Sequence, residues 1–152
     1  MPRGARRLPG VCLRRLGAAD LILHAGDVVG STVLQDLRRL ADVEAVAGNM
    51  DEPALLASLP ERRVVEVDGA RLGMVHVPGP SVGRGQRLAA AFPDCDAVVY
   101  GHTHVPDVSR VGATWILNPG SPTERRGSPV HSMLMLEIER GKIRPELVTL
   151  ST

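Results

Sequence analysis

Four short apolar runs in this chain lead directly into residues that bind metal ions well: LILHAGDVVG, VEAVAGNMDE, RLGMVHVPG and AVVYGHTHVP. The candidate donors are Asp27, Asn49, His76, His102 and His104. In α/β sheets, loops at the carboxyl ends of strands gather residues that are distant in sequence, so all five can face one cavity. An aspartate can bridge two cations through its two oxygens, while imidazole and amide oxygen suit Mn, Fe, Ni or Zn, with Mg as a harder alternative. A mixed nitrogen and oxygen set without thiolate favours a catalytic site over structural zinc. In His102-Thr103-His104 the rings stand at i and i+2, which an extended backbone points to one side. Gly26, Gly48 and Gly101 each precede a donor and allow close backbone approach there.

Taken singly, these residues have ordinary explanations. Asp27 and Asn49 after glycine are common turn formers, and His76 alone reads as a strand-end histidine; the joint pattern carries the metal reading. His24 closes the first apolar run, where packing or orientation of a neighbour is the leading reading and general-acid catalysis the other. Asn118-Pro119-Gly120-Ser121 has the composition of a tight turn. Arg125 and Arg126 read as solvated, with phosphate contact as the alternative. His131 has no local partner pattern and receives no role.

The elements that must position these residues follow from the apolar pattern. Buried strands are expected at Leu21–His24, Val43–Ala47, Leu72–Val75 and Ala97–Tyr100. Val33, Leu34, Leu37 and Leu40 recur at helical spacing over Thr32–Leu40, with Ser31 as N-cap. Glu52–Leu59 and Gly85–Phe92 read as further helices, the latter stopped by Pro93. Arg62–Val67 and Arg71–Val75 alternate around Asp68-Gly69, a dipeptide favoured in tight hairpins. Ala113–Leu117, Ser132–Ile138 and Ile143–Leu150 are strand-like, with Glu139–Lys142 turning between the last two. The pattern predicts an α/β fold of two packed mixed sheets with helices outside, in one domain spanning 1–152.

Composition excludes several classes. Eighteen Lys and Arg against 17 Asp and Glu leave a net charge of +1, so no global field attracts nucleic acid. The basic residues near the start have no aromatic residues between them on which bases could stack. No run of 18 apolar residues could cross a bilayer, and no apolar run of signal-peptide length opens the chain. Cys12 and Cys95 lack metal or disulfide spacing and read as buried thiols. A cytoplasmic location is the expectation.

The blocks GDVVG, GNMD, the histidine of MVHVPG, GHTH and NPGS resemble, in order and spacing, those of bacterial YfcE-like metallophosphoesterases of the calcineurin-like superfamily. The resemblance runs from about residue 5 to 145. It implies a four-layer α-β-β-α sandwich and hydrolysis of phosphodiesters or phosphomonoesters at a two-metal centre, with Mn-like divalent ions as cofactor. Carried over, Asp27 is the bridging ligand, Asn49, His76 and His102 complete one metal site with it, and His104 belongs to the second. Asp51 resembles the acid that orients neighbouring groups, and the NPGS loop would contact the metal loops. Homo-oligomeric assembly is implied by the resemblance alone.

The chain departs from that family at its start. Family members open with a strand ending in Asp-x-His, which supplies ligands to the first metal, and this chain has neither Asp nor His before Asp20. One metal then keeps four ligands and the other only Asp27 and His104. The expectation is an upstream strand lying ahead of Met1, because a missing inner strand would leave two neighbours with unpaired edges. Relatives place a histidine beside the GN block where this chain has Met50, so the general acid is open between His24 and a metal-bound water. The rival reading is a catalytically impaired scaffold that binds a protein partner, as in the retromer subunit that resembles these enzymes.

Overall fold

The computed structural model describes residues 10–26, 31–48, 53, 58–121 and 131–150. The central sheet has five strands in the order β3-β4-β5-β7-β6. Its strands are β3 (Arg62–Val67), β4 (Ala70–Val75), β5 (Ala97–Tyr100), β6 (Asp107–Val111) and β7 (Thr114–Asn118). β4, β5 and β7 run parallel, with β3 and β6 antiparallel at the edges.

Successive residues of the inner strands alternate faces, and both faces are buried. On one face Leu72, Met74, Ala97, Val99 and Leu117 form a cluster with Val46 and Ile143. On the other, Val75, Val98, Tyr100 and Ile116 meet Leu88 of helix α3 (Arg84–Ala91) and Phe92 at its C-terminal cap. Burying each such side chain contributes roughly 1.5–3 kcal/mol, which explains why the inner strands read as continuous apolar runs. Gly73 allows the helix to sit close, since a Cβ there would lie 2.5 Å from the Phe92 ring.

The second β-layer comes in two pairs. β1 (Leu21–His24) and β2 (Asp42–Ala45) are parallel, while β8 (His131–Glu139) and β9 (Lys142–Leu150) form an antiparallel hairpin. Leu23, Leu134, Leu136 and Ile138 of these pairs pack on the same face of the central sheet. Outside lie α1 (Gly10–Gly17) and α2 (Ser31–Leu40), with Cys12 and Leu16 against Met133, Val148 and Leu150. The four layers expected from the sequence are therefore present, but the second sheet is hydrogen-bonded as two separate pairs among the described residues.

The two β-layers are tied at their ends. Asp68-Gly69 and Arg140-Gly141 both turn with positive φ (43° and 84°; 51° and 82°), the pattern of the tightest hairpins. Asp68 accepts the Gly141 N–H on its carbonyl at 2.8 Å and the Arg140 N–H on its carboxylate at 3.0 Å. Arg63 of β3 pairs with Glu44 of β2.

Some boundaries differ from expectation. β2 ends at Ala45 rather than Ala47, because the Ala47 N–H turns to the Pro60 carbonyl at 2.8 Å. β6 was not anticipated, since an edge strand exposed at three of its five positions has no apolar run to betray it. α2 begins at Ser31 itself, whose side chain lies outside the described residues. The helix expected over Glu52–Leu59 falls almost wholly outside them too, with Pro53 and Ser58 helical.

Burial pushes the Cys12 thiol up from 9.0 to about 11. A thiol whose pKa rises on folding favours the native state at low pH, and that contribution is lost as pH climbs from about 9 towards 11. Alkylation of Cys12 at pH 8, followed by mass spectrometry, is expected to run about 100-fold slower in native than in urea-unfolded protein, from the thiolate fraction alone. Equal rates would show that α1 does not dock as described.

Candidate functional site

β4, β5 and β7 all end at one edge of the central sheet, where they deliver His76, Gly101-His102 and Asn118. β1 ends nearby with His24, followed by Ala25 and Gly26. His76 is 3% exposed, and its Nδ1 lies 2.7 Å from the Ala25 carbonyl. A carbonyl only accepts, so Nδ1 carries the proton and the ring lone pair sits on Nε2, the arrangement common in metal-ligating histidines. Two glycines enclose this bond. A Cβ on Gly26 (φ 102°) would stand 2.5 Å from His76 Nδ1, and one on Gly101 would stand 2.7 Å from the Ala25 oxygen.

The rings of His76 and His102 meet edge to face, with centroids 5.2 Å apart and planes at 84°. His24 accepts the Gly26 N–H on its Nδ1 at 3.2 Å, which puts the proton of its neutral ring on Nε2. A cavity of about 130 Å³ is lined by His24, Gly26, His76, His102, His104 and Ser121, among others. The histidines gathered from three segments thus converge on one space.

The loop carrying His102 and His104 is not the extended segment expected from their spacing. Both residues have left-handed backbone, φ 70° and 59°. The Thr103 N–H bonds the Gly101 carbonyl at 2.8 Å, closing a tight turn around His102. Such conformations cost about 1–3 kcal/mol each and persist only where the surroundings impose them.

Asn118, fully buried at the end of β7, is one such restraint. Its Nδ2 donates to Thr103 Oγ1 at 2.9 Å and to the Gly101 carbonyl at 3.4 Å, while its Oδ1 accepts the Gly120 N–H at 2.8 Å. At the base of the loop the Tyr100 hydroxyl donates to Asp107 at 2.8 Å; burial, with that carboxylate, holds its pKa up at about 12. Ser132 Oγ donates to the Pro119 carbonyl at 2.8 Å and so joins the same loop to β8.

Asp27, Asn49 and Asp51, with Met50, Arg125 and Arg126, lie outside the described residues. Among the described residues no three His, Cys, Asp or Glu side chains are arranged to hold an ion. The donor chemistry nevertheless fits: buried imidazole with a fixed tautomer is the part of a divalent site that β4 supplies, and carboxylate and amide oxygen would have to come from the two loops outside. Asn118 was legible only as a turn former, because its buried amide contacts depend on residues fifteen or more positions away.

Residues 4–141 match the calcineurin-like phosphoesterase superfamily domain. A probable metallophosphoesterase of Methanocaldococcus jannaschii is 35% identical over 150 residues, covering 95% of this chain and 73% of that protein. Among solved structures, a single mutant of Vps29 from Entamoeba histolytica superposes with a TM-score of 0.77 at 27% identity, over 99% of this chain and 94% of that one. Wild-type Vps29 of the same organism, complexed with Zn, is similar at a TM-score of 0.73 and 27% identity, over 98% and 93%. The chain belongs to the calcineurin-like phosphoesterase superfamily.

Gly101→Ala is expected to cost about 1–3 kcal/mol in urea unfolding, because its methyl group would strike the Ala25 carbonyl. The same change should abolish the slowly exchanging His76 Nδ1–H signal in NMR. A variant with unchanged stability and an intact signal would contradict the described cradle.

Proposed function

We propose that this superfamily member is a metal-dependent phosphoesterase acting on phosphodiesters or phosphomonoesters. The observation that carries the reading is the convergence of His76 and His102, edge to face at the ends of two parallel strands, on a cavity that His24 and His104 also line. In this reading His76 and His102 hold one divalent ion together with Asp27 and Asn49, and Asp27 and His104 reach a second. Mn is the preferred ion, with Ni, Fe, Zn or Mg as substitutes; the Zn complex of a similar protein supports a divalent site on this fold.

Divalent ions held there would supply Lewis-acid charge for the phosphoryl oxygens and an activated water. The chain's own residues orient and protonate. The His76 Nδ1–H bond to Ala25 keeps the ring directed from β4. Asn118 holds the His102–His104 turn against the parallel strand ends, so that the donors are fixed before substrate arrives. His24, which lines the cavity, would protonate the leaving alkoxide as imidazolium, a form in which its Nδ1 releases the Gly26 N–H, and Asp51 would orient neighbouring ligands.

A second reading, a protein-binding scaffold on the same fold, is favoured by the likeness to Vps29. No helix among the described residues is long and apolar enough to cross a membrane. The chain's single domain, its cytoplasmic location and its assembly into homo-oligomers belong to the same proposal.

The two readings separate in an assay with bis-p-nitrophenyl phosphate and Mn. The phosphoesterase reading expects turnover abolished by chelator, and kcat/KM lowered by more than about 100-fold in Asp27→Ala and His102→Ala, beyond the 10- to 100-fold that loss of a supporting residue costs. Folded protein that is inactive with every divalent ion, or activity indifferent to both substitutions, would favour the scaffold.

A further inference from the structure

β3 closes one side of the central sheet, and among the described residues β4 alone is hydrogen-bonded to it. Its register with β4 is unbroken from Arg62 to Val67, so the backbone N–H and C=O groups of its outer side form a regular row. Natural edges are commonly guarded by shortness, lysine, proline or a bulge. β2 is short, at four residues, and β9 carries Lys142 and Pro145. β3 has none of these devices.

The side chains of β3 fall into two sets. Val65 and Val67 pack into the core between the β-layers, and Arg63 pairs with Glu44 of β2. Arg62, Val64 and Glu66 alternate with them on the opposite face and are exposed, Val64 to 44%. A valine flanked by a cation two residues before it and an anion two residues after it is complementary to itself in the reverse direction.

We infer that β3 is the interface of a two-fold dimer, in which it pairs antiparallel with β3 of a second copy about Val64. Directly opposed residues of an antiparallel pair project on the same face, so the axis must pass through a residue. Through Val64 it sets the two valines together and each Arg62 opposite Glu66 of the other copy. Neighbouring registers match less well. An axis through Arg63 or Glu66 opposes like charges at that residue. One through Val65 sets Val64 against Glu66, and Arg62 against Asp68, whose carboxylate already accepts the Arg140 N–H at 3.0 Å. β6, the other edge of this sheet, offers no such match, since pairing about Ser109 would oppose Arg110 to Val108.

Glu66 also stands 3.7 Å from Arg71, but its side chain is 72% exposed and keeps an oxygen for a second cation. The joined sheet takes five strands from each copy, and the two candidate sites open on opposite sides of it, because the two copies of β4 run antiparallel. A contact through one strand belongs to the small class of interfaces, so the association is weak. This interface rests on the homo-oligomeric assembly proposed above but not on phosphoester hydrolysis, since mass is read without metal or turnover.

Sedimentation of the full chain at concentrations up to about 1 mM is expected to show a monomer–dimer equilibrium with a Kd on the order of 100 μM. Arg62→Glu and Glu66→Arg should each weaken self-association by about ten-fold or more, because each opposes like charges. An equimolar mixture of the two variants restores both ion pairs and should associate as tightly as the unaltered chain. Loss of the Arg62 contact with the Phe92 ring, or of Glu66 with Arg71, cannot produce that recovery. Hydrogen exchange of the unaltered chain should also slow at Arg62–Val67 as its concentration rises. A chain monomeric at about 1 mM overturns the dimer and its interface together. A dimer indifferent to the single substitutions, or folded variants that do not recover on mixing, overturns β3 as the contact while leaving the assembly. Exchange at Arg62–Val67 that ignores concentration does the same even where a variant misfolds.

Discussion

One hydrogen bond, from His76 Nδ1 to the Ala25 carbonyl, joins the two β-layers at the edge where the candidate site lies. It exists only because Gly26 and Gly101 have no Cβ, since either methyl group would occupy the space of the bond. The same bond decides the tautomer of the ring, so packing and chemistry are governed by one contact. Everything placed around it, the turn of His102 and the amide of Asn118 included, takes its position from β4 and β5 ending side by side.

The neighbouring loop has the opposite character. Two histidines in left-handed conformation are intrinsically unfavourable. They are held by restraints at three corners, namely the Thr103–Gly101 turn, the Asn118 amide and the Tyr100–Asp107 bond at the base. Strain of this kind, maintained by buried hydrogen bonds, is common where side chains must be presented at a fixed angle. The stiff central sheet absorbs the cost, and the resulting cavity keeps donors from β1, β4 and β5 within one small volume.

How much of this was legible in the sequence depends on whether the deciding contact is local. β4 and β5 were readable because both faces are buried and the residues are apolar throughout, and the β3–β4 hairpin because Asp68-Gly69 prefers its turn. α3 was readable because Pro93 follows it. β6 was missed because it is a mostly exposed edge, and the shortening of β2 because a partner for Ala47 arrives from Pro60. The fold of the His102–His104 turn was misjudged for a similar reason. Spacing of i and i+2 implies one side only in extended chain, and nothing in GHTH announces a left-handed backbone. Among the described residues the second sheet divides into two pairs, the unpaired neighbours that the chain's departure from the Asp-x-His opening implied. Asp27, Asn49 and Asp51 rest on the motif pattern, since they lie outside the described residues.

The central claim is that imidazoles from separate strand ends share an ion. The most direct test is pulsed electron paramagnetic resonance of Mn bound to the full chain, which detects nitrogen nuclei coordinated to the metal. The account predicts couplings from at least two imidazole nitrogens, diminished when His76 or His102 is replaced by alanine. Bound Mn with no nitrogen coupling, or couplings unchanged by either substitution, would contradict it.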